Sequence, residues 1–313
     1  MTSYAHFVAH ARGCLVPLLD AERARWLWQH LRRAFPEALG VTLMPDHPHI
    51  VAPDEPGGHL RLANVLGAFA RRFDLGELWA TFPEPVRLTT PDKVARVLRY
   101  ALLNPCRPWR HAGRVVQLVR DPLAWPWSTL RDVVGAIVDP WVTSGRLPSA
   151  LAWERDGFIA SFHRYVSADP HVDVAGTPLP RIAPSTAMPS GSFDDIVRAA
   201  LAATRSPPSA LCHKSPARMV LAGLAYRQGW RYPRYIAKLC GTHPDTIARL
   251  ARRCPAAWLE AAALCLGDTR LIAPGPNVGG TDVGWPQKLL RGGNVGGTDV
   301  PRRQIHEGYD DAK

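Results

Sequence analysis

The chain has 313 residues and a formal net charge of +11 at pH 7, from 38 Lys and Arg against 27 Asp and Glu. That length suits two domains with a core each, and the basic surplus fits a nucleic-acid partner without identifying one. No apolar run approaches the length of a membrane span and the start shows no signal-peptide pattern, so no membrane partner and a cytoplasmic location are expected.

The first predicted element is a strand over Tyr4–Arg12, followed by an amphipathic helix over Asp20–Phe35. Asp20 is its expected cap, and Trp26, Leu27, Leu31 and Ala34 its expected inner side. Leu39–Met44 and His49–Ala52 follow as two strands joined tightly across Pro45-Asp46, and Leu60–Phe73 as a second helix with Arg71 and Arg72 at its end. The order β-α-β-β-α predicts an α+β fold, an antiparallel sheet backed by helices of the ferredoxin-like kind.

His47 and His49 lie in this second strand region, one residue apart. Alternation along a strand puts both imidazoles on one side of the sheet, within reach of a single divalent ion. A pair of surface histidines beside a turn is the other reading of the same spacing. The next alternate position is Val51, which does not suit a hydrolase built on three alternating histidines. A zinc hydrolase would more often add a carboxylate or thiolate, and Asp46, as a strand neighbour of His47, is expected to face the other way.

Thr90–Pro105 carries the punctuation of a helix: Thr90 as N-cap, Pro91 at the first helical position, Asp92 at the positive dipole end and Pro105 as the stop. Arg96, Tyr100 and Asn104 are spaced four apart and form one row beside an apolar stripe. A tyrosine one turn before an amide, beside arginines, can serve as a nucleophile with a ligand and a phosphate clamp. It can equally be a half-buried tyrosine with an asparagine at the helix end.

Met44-Pro-Asp-His-Pro-His49, Arg99-Tyr-Ala-Leu-Leu-Asn-Pro105 and Asp121-Pro-Leu-Ala-Trp-Pro-Trp-Ser-Thr-Leu-Arg131 occur in this order. Together they resemble the single-tyrosine HUH transposases, the small single-strand insertion-sequence enzymes and their REP-associated branch, over roughly residues 1–135. The resemblance implies His47, His49 and Asn104 as ligands of Mg²⁺ or Mn²⁺, and Tyr100 as the nucleophile. It further implies cleavage and rejoining of single-stranded hairpin DNA through a 5′-phosphotyrosine, by a monomer or homodimer. Arg96, Arg99 and Arg107 are the expected DNA-binding cations near the tyrosine. The sequence departs from the family where Leu78-Trp79 is followed by Ala-Thr-Phe-Pro-Glu-Pro85 without the usual arginine. It departs again at Asn104-Pro-Cys-Arg-Pro-Trp109, which keeps Arg107 but not the small-residue turn.

Residues 136–166 are expected to form a helical extension and 167–191, rich in proline, a linker. A helical DNA-binding domain is expected over 192–266. From Arg205 to Arg253 ten Lys and Arg stand against the single acid Asp245, a local balance of +9. Within it, 233–252 resembles a helix-turn-helix, with Ser215–Gln228 as its supporting helix. Ala237 and Gly241 supply the small residue and the turn, and Ile236, Cys240, Ile247 and Leu250 the buried positions. Thr242 is the expected cap of the second helix. Arg234, Thr242, His243, Thr246, Arg249 and Arg253 are the expected contacts to duplex DNA. A basic helical bundle without sequence readout is the plainer alternative.

The segment 267–313 has low complexity, and Asn277–Val283 recurs unchanged at Asn294–Val300; disorder is expected there. The six cysteines (Cys14, Cys106, Cys212, Cys240, Cys254, Cys265) form no CxxC pair and are expected to be reduced, with neither zinc nor disulfides. The sequence thus points to a DNA strand transferase. A domesticated, non-catalytic DNA-binding regulator and an HUH nicking enzyme that does not rejoin strands are the rival readings.

Overall fold

The computed structural model describes residues 3–13, 15–80, 83–111, 113–168, 172 and 192–272. Most of the proline-rich 167–191 segment, the repeated tail from residue 273 and Cys14 lie outside the described residues.

Six elements open the chain: β1 (Tyr4–Val8), α1 (Ala21–Ala34), β2 (Gly40–Leu43), β3 (Pro48–Pro53), α2 (Gly58–Arg72) and β4 (Val86–Leu88). The strands form one sheet in the order β2-β3-β1-β4, with every neighbouring pair antiparallel. Capping fixes the helix starts as expected. Asp20 accepts from the Glu22 and Arg23 amides at α1, and Thr90 accepts from the Lys93 amide at α3 (Pro91–Leu103).

One face of the sheet packs on α1 and α2. Phe7 meets Phe35, the residue closing α1, at 5.3 Å between ring centroids, and its ring also lies over Gly58 at the start of α2. Leu27, Leu31, Leu66 and Phe69 are completely buried there, each contributing about 1.5–3 kcal/mol. Trp28, rather than Trp26, joins the core of α1, edge-on to Trp141 at 5.1 Å. Trp26 stays half-buried and stacks on His30. Simple periodicity put the wrong tryptophan inside because a second layer of aromatic residues, from later in the chain, covers the side on which Trp28 lies.

The opposite face carries α3, which touches β2, β3 and β4. A Cβ on Gly40 would collide with Leu98 of α3, so glycine at the start of β2 lets the Tyr100 helix lie flush on the sheet. Beyond α3 come a small hairpin, β5 (Trp109–His111) and β6 (Arg114–Val116), and the short α4 (Leu130–Val133). The segment before α4 covers the otherwise open edge of β2: the Leu43 amide donates to Trp127 O, the Thr129 amide to Val41 O, and the Trp125 indole to Leu43 O. β4, β5 and β6 are three residues each, too short to leave an alternation signal.

The remaining helices are α5 (Leu147–Leu151), α6 (Phe158–Ser167), α7 (Phe193–Thr204), α8 (Pro216–Arg227), α9 (Pro233–Leu239), α10 (Pro244–Arg253), α11 (Ala256–Gly267) and α12 (Thr269–Ile272). α8 packs against α7, α10 and α11, and Gly223 allows it, since a Cβ there would meet Cys254 at 2.7 Å and Leu259 at 2.8 Å. Ile236, Cys240 and Ile247 are fully buried between α8, α9 and α10, while Leu250 is half-buried.

Buried ion pairs and backbone hydrogen bonds hold this helical region against the sheet region. Arg205, just after α7, pairs with the wholly buried carboxylate of Asp132 and stacks over Trp28 at 4.5 Å. Arg270 on α12 pairs with Asp121 at 2.8 Å. Arg131 is buried, donating to Leu123 O and to Arg270 O. Five cysteines among the described residues are free thiols. Among the described residues, no helix is long and apolar enough to cross a membrane.

Candidate functional site

β3 and the turn before it carry the two histidines. His49 lies within β3, opposite Val8 of β1 and Thr42 of β2, whereas His47 is the last residue of the turn and precedes the strand. Their Nε2 atoms nonetheless meet at 2.8 Å. α3 delivers the third group from the other side: the Asn104 amide reaches His49 Nε2 at 2.5 Å. Rotation about χ2 exchanges the amide oxygen and nitrogen, so either atom can occupy that place, and the oxygen is the one able to ligate a cation. The ring of Tyr100, one turn earlier on the same helix, stands perpendicular to His49 with centroids 5.6 Å apart.

His6, which carries no signal in the sequence pattern, and Asp46, expected to face away, both join the cluster. His6 Nε2 lies 3.0 Å from His49 Nδ1, and Asp46 Oδ1 lies 2.8 Å from His47 Nδ1. Asp46 does not face away from His47, because neither residue is in the strand: the turn aims both inward, and strand alternation does not apply. Antiparallel pairing puts His6, Val8, His49 and Val51 on one face, but that register shows only once β1 and β3 are known to be neighbours.

These outer partners decide what the inner nitrogens can do. Asp46 can accept from His47 Nδ1–H, and in the neutral ring that tautomer leaves the lone pair on Nε2. When His49 donates Nδ1–H to His6, its Nε2 is unprotonated too, and two lone pairs face each other across 2.8 Å. In that tautomer both lone pairs are available to one cation; in the other, the same 2.8 Å contact is a hydrogen bond between the rings. For metal–nitrogen bonds of about 2.1 Å, adjacent ligands of an octahedral ion sit about 3.0 Å apart, close to the spacing here.

Charge within the cluster follows from its depth. Burial, with His47 and His6 adding to it, holds His49 well below the ordinary histidine range. Burial, aided by His47, lowers His6 from 6.5 to about 4. Burial alone would raise the Asp46 carboxyl, but its hydrogen bond with His47 and the nearby His47 and His10 bring it below the ordinary carboxylate value. His10, Asp46 and His47 also place ligand atoms within 4.8 Å of one another, on the outer side of His47. The inner group of His47, His49 and Asn104 is the better candidate centre, since Tyr100 stands beside it.

The arginines divide. Arg107 lies over the Tyr100 ring at 5.2 Å. Arg99 stacks on Tyr165 of α6 at 4.7 Å, because one residue of helix turns it about 100° from Tyr100. Arg96 is exposed one turn before Tyr100. On the helical region, Arg234, Arg249 and Arg253 are exposed, and Thr242 and Thr246 half-buried. The cap of α10 is His243, which accepts from the Asp245 amide, and not Thr242. Gly241 takes the positive φ of the turn and Pro244 occupies the first helical position, which moves the start one residue along.

The chain matches no protein-family profile and no curated protein sequence. Among solved structures it is similar to one described as a REP-associated tyrosine transposase bound to a REP hairpin. That similarity has a TM-score of 0.36 and 19% identity, and it covers 49% of this chain and 92% of the other.

Proposed function

We propose that this chain is a metal-dependent DNA strand transferase that cleaves and rejoins single-stranded hairpin DNA through Tyr100, in the manner of the single-tyrosine HUH transposases. The observation that supports it best is the meeting of His47 Nε2, His49 Nε2 and the Asn104 amide beside the Tyr100 ring. The strand order β2-β3-β1-β4, with a helix following β1 and another following β3, supports the ferredoxin-like reading.

His47, His49 and the Asn104 oxygen would hold the ion, Mg²⁺ or Mn²⁺, and the mixed nitrogen and oxygen donors favour Mn²⁺. When bound, the ion polarises the scissile phosphate and offsets charge that develops on its oxygens. His6 and Asp46 orient the two ligating rings. The Tyr100 oxygen attacks phosphorus, the bond to the 3′ oxygen breaks, and the strand leaves as a 3′-hydroxyl after taking up a proton. The phenol proton passes to water. Tyrosine ionises near pH 10 in water, so the attack needs a proton acceptor or a nearby positive charge, and Arg107 lies over the Tyr100 ring at 5.2 Å. A second 3′-hydroxyl then displaces Tyr100 and restores a phosphodiester without external energy.

The exposed face of α10, with Arg249 and Arg253 and with His243 at its cap, supports contact with duplex DNA next to the hairpin. A labelled hairpin from the gene's flanks, incubated with an acceptor strand bearing a free 3′-hydroxyl, tests the reading. Joined product that requires Mn²⁺ and disappears in Tyr100→Phe is expected. Cleavage without joining would indicate a nicking enzyme, and tight binding without either would indicate a regulator.

A further inference from the structure

Just before and within the start of α9, the run Trp230-Arg-Tyr-Pro-Arg-Tyr235 lines an open concavity of about 500 Å³, outside the histidine site. Its tyrosines are conspicuously unburied: Tyr232 is 64% and Tyr235 57% exposed. A cluster of exposed rings, unlike a single one, is a feature that binding surfaces share. They are also held in place. Phe193 of α7 packs beneath, 5.4 Å from Trp230 and 5.0 Å edge-on to Tyr235, and Trp230 meets Tyr232 at 6.4 Å.

Charge narrows the occupant. Arg231 and Arg234 are exposed between the rings, and the sequence holds no acid between Asp195 and Asp245. Asp195 itself is taken up by Ser192 and Arg198. Aromatic faces alternating with guanidinium groups match a strand whose bases are free to stack and whose phosphates follow at each step. A duplex offers the phosphates but keeps its base faces stacked inside.

We infer that Trp230–Tyr235 is a stacking platform for the unpaired bases of single-stranded DNA, a binding site separate from the Tyr100 centre. The inference rests on the DNA reading above and extends it: the strand beside the hairpin would run over this patch while α10 meets duplex.

The test is a titration of labelled oligo-dT and of a blunt duplex with the full chain in EDTA, so that binding is read apart from metal-dependent chemistry. Replacing both Tyr232 and Tyr235 with alanine is expected to weaken oligo-dT binding by about tenfold or more while changing duplex binding by less than about twofold. Replacing both with phenylalanine, which retains the faces and the packing on Phe193, is expected to keep binding near wild type. Ultraviolet crosslinking of 5-iodouracil-substituted oligo-dT to the unaltered protein should mark Tyr232 or Tyr235. Unchanged oligo-dT binding in the alanine variant, equal losses for strand and duplex, or crosslinks confined to other regions would each overturn the platform. Because no cleavage enters this measurement, its failure leaves the Tyr100 reading standing, and the reverse also holds.

Discussion

His6 touches neither the proposed ion nor the proposed substrate, yet its hydrogen bond to His49 Nδ1 couples the tautomers of the two rings. His6→Phe removes that partner and is expected to weaken Mn²⁺ binding by about ten- to a hundredfold, measured by the free-ion signal in electron paramagnetic resonance. His6→Gln, which can still accept a hydrogen bond, should recover part of the loss; equal affinity in all three proteins would leave His6 a packing residue. The same histidine couples stability to acid. Its folded value near 4 lies below the ordinary 6.5, so the unfolded chain binds the extra proton between those values. Stability in EDTA should therefore be full above pH 6.5 and decline as pH falls toward 4, with His6 contributing on the order of 3 kcal/mol. Urea denaturation across this range should show a shallower decline in His6→Phe; an identical slope would contradict the assignment. At this scale spacing singles out His47, His49, Tyr100 and Asn104, and the fold brings these four side chains together. The sequence concealed Asp46 and His6, whose roles depend on a turn geometry and a strand pairing that spacing does not encode.

The element that matters most is α3, since it alone brings Tyr100 and Asn104 to the histidine face. Its cap, proline start and stripe were legible as local chemistry, and so were α1, α2 and the β2–β3 pair. The partner of α3 was not legible. Gly40 looked like an ordinary strand residue, and only the assembled sheet shows Leu98 lying over it. Gly40→Ala forces the helix to shift or Leu98 to leave its rotamer, at a cost of about 1–3 kcal/mol. Because that shift moves Tyr100 relative to His49, strand joining should fall further than stability alone accounts for at a temperature where the variant remains folded. A variant with lowered melting temperature but undiminished joining would show that α3 placement is not limiting. The tryptophan-rich segment before α4 likewise reads differently once folded: its backbone completes the edge of β2, and Arg131 is buried beneath it.

For the described residues as a whole, the sheet region and the helical region meet through charge. Arg205 with Asp132 and Arg270 with Asp121 join residues far apart in sequence, and Asp132 also accepts from the Trp141 and Val142 amides. Composition registers the basic surplus of Arg205–Arg253 but not that Arg205 is spent on this contact. Arg205→Met leaves a buried carboxylate uncompensated and should cost about 3–5 kcal/mol, read as a lower denaturant midpoint; a loss under about 1 kcal/mol would mean that the pair is solvated. On the exposed side, Arg249→Ala should lower the salt dependence of duplex binding by about one unit of slope, as expected for a single phosphate contact. An unchanged slope would place the duplex elsewhere.

In the proposed reaction Tyr100 becomes covalently joined to DNA beside His47, His49 and Asn104. The most direct test is to trap the protein with hairpin DNA and Mn²⁺, digest both polymers, and locate the modified peptide by tandem mass spectrometry. A phosphonucleotide on the Tyr100 side chain, absent in EDTA and in His49→Ala, is the predicted result. A modification on another residue, or one that forms equally well without metal, would contradict the account.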